Sequence, residues 1–286
     1  MTESEAPAGT SPEELWDAET VFRPDLFAGR VVLVSGGGSG IGRAIAFLFA
    51  RLEAQVAICG RTPEKLEAVV EFARSKGRSI LAIPTNIREP EQVAVLFDRI
   101  DADLGPLDVV INNAGGQFPQ NAIDFSIKGW NAVINNNLNG TWYMMQHAAR
   151  HWRDQGREGS IINIVAVVER GMPGVAHTAA ARAGVIGLSR TVAVEWAPLR
   201  IRVNCVAPGL IGTEGLGVYP PEAAREWPRA NPMKRWGKPT DIAQACCYLA
   251  ASSGDFITGE VMTVDGGGRL WGELWTAGRP DYFDIR

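Results

Sequence analysis

Histidine and cysteine are both scarce, three and four residues in 286, and that scarcity removes two chemistries. Cys59, Cys205, Cys246 and Cys247 show no paired CxxC spacing, so neither a zinc site nor a secreted disulfide scaffold is expected. His147 and His151 stand four apart, a spacing that metal sites use, but no third ligand accompanies them and no metal is expected. Basic residues are not in excess: the net charge is −4, which argues against a nucleic-acid partner. No apolar run approaches the roughly 18 residues of a membrane span. The opening MTESEAPAGTSPEE is acidic where a signal peptide would be basic and apolar. The expectation is a soluble, cytoplasmic protein.

What is present is an ordinary globular composition, 46% hydrophobic and 21% charged, on a chain long enough to bury a core without staples. Residues 1–21 have little to bury and read as a flexible N-terminal arm. From residue 22 to 286 the pattern reads as one domain. Short apolar runs at Val31–Val34, Val56–Cys59, Ile80–Ile83, Leu107–Ile111, Ile161–Val165, Ile201–Asn204 and Glu260–Val264 alternate with helical stretches. Among the latter are Glu89–Ile100, Ile127–Arg153 and Val175–Trp196. Strands apolar throughout, separated by helices, predict a single doubly wound α/β domain of Rossmann type with a parallel seven-stranded sheet. An irregular segment at about 209–238, rich in Pro, Trp and Arg, reads as a lid over the carboxyl ends of the strands, and a C-terminal tail follows the last strand.

The most specific local signal is Ser35-Gly36-Gly37-Gly38-Ser39-Gly40-Ile41-Gly42, after a strand and before an amphipathic helix. Gly36 permits the tight turn, Gly40 lets the backbone approach a pyrophosphate, and Gly42 lets helix and strand pack closely. About twenty residues on, an NAD enzyme would carry an acid for the ribose 2′-hydroxyl. Here the second strand ends in Cys59-Gly60-Arg61-Thr62. A carboxylate would repel a 2′-phosphate, whereas Arg61 can grip one, so the expected cofactor is NADP(H).

These motifs, with Asn112-Asn113-Ala114-Gly115, Pro208-Gly209 and FITGEVMTVDGG at 256–267, resemble the short-chain dehydrogenase/reductase family over about 22–270. The resemblance implies that Asn113, Ala114 and Gly115 support the cofactor and central sheet. It implies that Ile211 and Thr213, after Pro208 and Gly209, meet the nicotinamide carboxamide. Asn86, followed by Ile87, stands where the family has an Asp contacting adenine. The family's catalytic Asn, Ser, Tyr and Lys map onto Asn137, Val165, Thr178 and Arg182, so only Asn137 keeps its identity. Asn137, Thr178 and Arg182 are the candidate catalytic residues, and Arg182 also the candidate ribose holder. The family implies a dimer or tetramer.

Losing the phenol disfavours ordinary ketone chemistry, which needs a proton donor on the developing alkoxide. The runs Ala193-Val194-Glu195-Trp196, Arg202-Val203-Asn204 and Gly212-Thr213-Glu214-Gly215-Leu216 are similar to the 2,4-dienoyl-CoA reductase branch, as is the setting of His177. The expected function is therefore NADPH-dependent reduction of a conjugated C=C bond in an enoyl- or dienoyl-CoA. Asn137 or Asn139 amides would steady the enolate. The alternatives are an imine or carbonyl reductase, or a cofactor-binding scaffold whose catalytic residues have decayed. Tyr219 is a candidate phenol in the lid, and Tyr143 and His177 read as packing residues. Trp227, Trp236, Trp271 and Trp275 fit an acyl pocket or a subunit interface. Arg225, Arg229, Lys234, Arg235 and Lys238 fit CoA phosphates or a solvated face.

Overall fold

The computed structural model describes residues 9–218 and 227–270. Seven strands form one sheet in the order β3-β2-β1-β4-β5-β6-β7, every pairing parallel. They are β1 (Val31–Ser35), β2 (Gln55–Gly60), β3 (Ile80–Pro84), β4 (Val109–Asn112), β5 (Gly159–Ile164), β6 (Ile201–Pro208) and β7 (Val261–Val264). All residues of β1 and β4 are buried, as a strand covered on both faces requires.

One face is covered by α1 (Pro12–Asp17), α2 (Gly40–Arg51), α3 (Pro63–Ser75) and α8 (Pro239–Ala250), through Phe47, Phe49, Leu66, Val69, Ile242 and Leu249. The other is covered by α4 (Pro90–Leu104), α6 (Gly140–Gln155) and α7 (Ala176–Trp196), through Leu96, Phe97, Met144, Met145, Trp152 and Val192. Strand order reverses between β1 and β4, and the crevice beyond their carboxyl ends is where such sheets take ligands.

Two expectations need correction. The stretch Ile127–Arg153 is not one regular helix: α5 (Ile127–Ile134) passes through a π-helical turn, Asn135–Asn139, into α6. The arm, read as loose, is folded from at least residue 12. Ser11 and Glu14 make a reciprocal capping box. Leu15 and Trp16 are buried, and Trp16 packs edge-on to Phe47 and Phe72 at 5.3 and 6.0 Å. Two apolar side chains one residue apart were enough to dock a single turn onto α2. In the lid segment, Ile211 pairs with Gly237, which ties its two stems together. Tyr219, Arg225, Trp271 and Trp275 lie outside the described residues, as does the C-terminal tail beyond residue 270.

Candidate active site

The cleft at the reversal point is built by the turn after β1. The Ser35 hydroxyl accepts hydrogen bonds from the Asn113 and Ala114 amides at 3.1 and 3.0 Å, lashing the end of β1 to the end of β4. The Asn113 side chain donates to the Ser35 and Gly36 carbonyls. Gly36 has φ +67°, and a Cβ on Gly42 would collide with the Gly36 carbonyl oxygen, so neither position tolerates a side chain. Beyond this turn α2 begins, with Gly40 at its first position and Ile41 packed toward the core.

A cavity of about 250 Å³ lies over the turn. Of the expected cofactor residues, Gly36, Gly38, Ser39, Arg61, Ile87, Ala114 and Gly115 line it. Asn86 does not. Its amide donates to Glu89 and accepts from Arg88, so the wall there is Thr85 and Ile87 instead. Sequence reasoning missed Lys65, which lines the cavity beside Arg61 and Thr62. Its signal was a cation one turn into the helix that follows Arg61. No carboxylate is among the lining residues. Across from α2, Thr213 approaches Gly40, while Pro208 ends β6, Gly209 donates to the Val264 carbonyl, and Ile211 is buried.

Deeper in the crevice, Arg182 is 7% exposed, one turn beyond Thr178 on α7. Its Nη2 lies against Gly115, where a Cβ would strike it. Its Nη1 is wholly buried with no hydrogen-bond partner, and no salt bridge among the described residues neutralises it. Burial, partly offset by Cys205, pulls the guanidinium down to about 10. Asn137 sits in the π-helical turn, and its amide is engaged at both ends by Gly116, accepting from its N–H and donating to its carbonyl at 3.0 Å each. The expected enolate donor is thus a clamp on the loop after β4. Asn139, the other amide expected there, donates to Asn135.

Val165 stands in an apolar cluster with Val185, Ile186, Cys205 and Ala207 and offers no hydroxyl. Next to Thr178, His177 is fully buried between the Phe118 and Phe125 rings, 4.7 and 4.4 Å away. Its Nδ1 accepts from the Thr178 amide at 2.7 Å, and burial holds its pKa below the usual histidine value. Elsewhere His147 packs on Phe97, His151 bonds Asp101 at 3.0 Å, and Tyr143 packs on the second core. Arg235 pairs with Asp241, and Trp227 meets Trp236 edge-on at 5.9 Å. No group of three or more metal-capable side chains occurs among the described residues, and none of their helices is long and apolar enough to cross a membrane.

The glycine cradle, the amides at the start of α2 and the partnerless Nη1 of Arg182 fit a dinucleotide lying across the crevice. Comparison with known proteins agrees. A sequence family described as enoyl-(acyl carrier protein) reductase matches residues 36–268. A probable 2,4-dienoyl-CoA reductase of Bacillus subtilis is 37% identical over 83% of this chain and 96% of its own length. A 3-oxoacyl-(acyl carrier protein) reductase of Chlamydia trachomatis is 36% identical, over 85% and 98%. The crystal structure of a short chain dehydrogenase from Bacillus anthracis superposes with a TM-score of 0.81 at 40% identity, over 85% and 98%. The chain is a member of the short-chain dehydrogenase/reductase family, an oxidoreductase built to use a nicotinamide cofactor.

Proposed function

We propose that this oxidoreductase uses NADPH to reduce an activated, conjugated C=C bond, that of an enoyl- or dienoyl-CoA. The observation that carries the reading is Arg182: a buried, unneutralised guanidinium in a site where Val165 and Thr178 replace the family's hydroxyl and phenol. A buried cation without a counter-ion is costly unless a ligand supplies negative charge. Hydride addition to a conjugated thioester creates that charge as an enolate spread onto the thioester oxygen. Arg182 can stabilise it without giving up a proton, because its pKa stays near 10. Water then protonates carbon, so that dienoyl-CoA, NADPH and one proton give enoyl-CoA and NADP⁺.

The bound nicotinamide supplies the hydride. The remaining roles are those of the chain. Ser35, Gly36, Asn113 and the start of α2 hold the turn against the pyrophosphate. Asn137 clamps Gly116 and so fixes the loop after β4 that carries Gly115. Arg61 and Lys65, with no carboxylate in the cavity wall, favour a 2′-phosphate on the adenosine ribose. Similarity to a dienoyl-CoA reductase supports the substrate class, and similarity to a 3-oxoacyl reductase names the competing one. We also infer a homo-oligomer, from an exposed small-residue face on α7.

The test is NADPH oxidation by the purified protein with 2,4-hexadienoyl-CoA, a 3-oxoacyl-CoA or a cyclic imine. The dienoyl thioester is expected to turn over fastest. Faster reduction of the 3-oxoacyl thioester or the imine would replace this reading with carbonyl or imine reduction.

A further inference from the structure

The family match begins at residue 36. Relatives that align over 96–98% of their own length account for only 83–85% of this chain. Ahead of that match, the described part of the arm reaches the start of α2, which borders the cofactor crevice. Arg43, in the first turn of α2, donates through Nη2 to the Thr10 carbonyl at 3.1 Å and to the Glu214 carboxylate at 2.5 Å. Its side chain is only 15% exposed. Gly9, with φ +90°, passes so close to Glu214 that a Cβ would lie 2.9 Å from Glu214 Cγ. Thr213 and Glu214 in turn lie over Gly40: a Cβ there would be 3.4 Å from the Thr213 side chain and 3.7 Å from Glu214 Oε2. Arm, helix start and the segment after β6 therefore meet at one guanidinium.

The start of α2 attracts anions, a pyrophosphate and a neighbouring carboxylate alike. Left unpaired, Glu214 would compete for that helix end. Paired with Arg43 it is neutralised, and its backbone is fixed across the crevice. The Thr10 carbonyl holds the guanidinium in the orientation that does this. We propose that the N-terminal arm is a strap: Gly9 and Thr10, acting through Arg43, hold Thr213 and Glu214 down across the start of α2 and slow release of the dinucleotide. Arg43 is a positioning residue in this device. The inference rests on the dinucleotide reading of the crevice. It adds a control element supplied by residues that precede the family match.

The experiment uses full-length protein and three variants, Gly9→Ala, Arg43→Gln and the two combined. Gly9→Ala strains the φ +90° backbone and pushes on Glu214 while leaving the Ser11–Glu14 capping box intact. The first readout is amide hydrogen exchange over residues 209–218 without cofactor. The second is the release rate of NADPH, and separately of NADH, by stopped-flow fluorescence. Both single variants are expected to speed exchange in that segment. Both should also raise the release rate about fivefold, the scale of one partly exposed charge-assisted hydrogen bond. The combined variant should be no worse than the worse single one, because both break the same clasp. Unchanged exchange in Gly9→Ala, or effects that multiply in the combined variant, overturns the strap. If neither dinucleotide binds the unaltered protein, the cofactor reading fails, and the exchange data still decide whether the arm holds the segment.

Discussion

At the scale of single residues the site combines an unusual cation with missing donors. Burial disfavours the charged form of Arg182, pulling its pKa from the ordinary arginine range down to about 10. The sign follows: below about pH 10 the folded protein carries the full penalty of a buried charge, and the penalty fades as pH rises from about 10 toward the ordinary arginine range. Replacing Arg182 by Met should therefore stabilise the cofactor-free protein at neutral pH, by about 1–3 kcal/mol, while abolishing most turnover. A lower thermal midpoint for Arg182→Met would show that the guanidinium is compensated after all. Cofactor choice belongs to the same scale. Arg61→Ala and Lys65→Ala should each weaken NADPH binding by about 1–2 kcal/mol in calorimetry and leave NADH nearly unchanged. The place of Arg61 in the cavity wall was legible because it sits where a ribose acid was due. That of Lys65 was not, since only the fold shows that the first turn of α3 closes over Gly38.

At the scale of elements, the strands and most helices could be read because each is apolar on the faces it buries. Two elements escaped for physical reasons. The π-helical turn at Asn135–Asn139 leaves the apolar spacing on either side nearly intact, so periodicity passes through it unnoticed. The α1 turn was hidden by its polar flanks, because two buried side chains make no periodic pattern. Its anchoring can be measured. Trp16→Ala leaves a hole against Phe47 and Phe72 and should cost about 2–4 kcal/mol of stability in urea unfolding. A loss below about 0.5 kcal/mol would mean that the arm is not part of the cooperative core. The same variant should loosen the segment after β6, since it releases the strap from its footing.

At the scale of the whole molecule, the seven-stranded sheet follows from strands that are apolar on both faces, but sequence alone does not say which surfaces remain open. On α7, Ala180, Ala183, Gly187, Thr191 and Val194 are exposed at spacings of three and four, one stripe along the helix. Side chains this small let a second helix approach closely. Val194 is 77% exposed at the end of this stripe, and Phe256, just before the edge strand β7, is fully exposed. Isolated exposed apolar residues are ordinary; aligned ones on a helix whose other face is in the core are not. In the proposed homo-oligomer a second copy of the chain buries the same stripe on both sides, because a two-fold contact repeats each patch against itself. Sedimentation at micromolar concentration should then give a multiple of the 30.9 kDa chain mass. Gly187→Arg, which puts a long cation in the middle of the stripe without touching the sheet or the cleft, should split that assembly. A particle of single-chain mass before any substitution would end the proposal. An assembly untouched by Gly187→Arg would move the interface elsewhere, with the β7 edge and Phe256 next to be tested by Phe256→Asp.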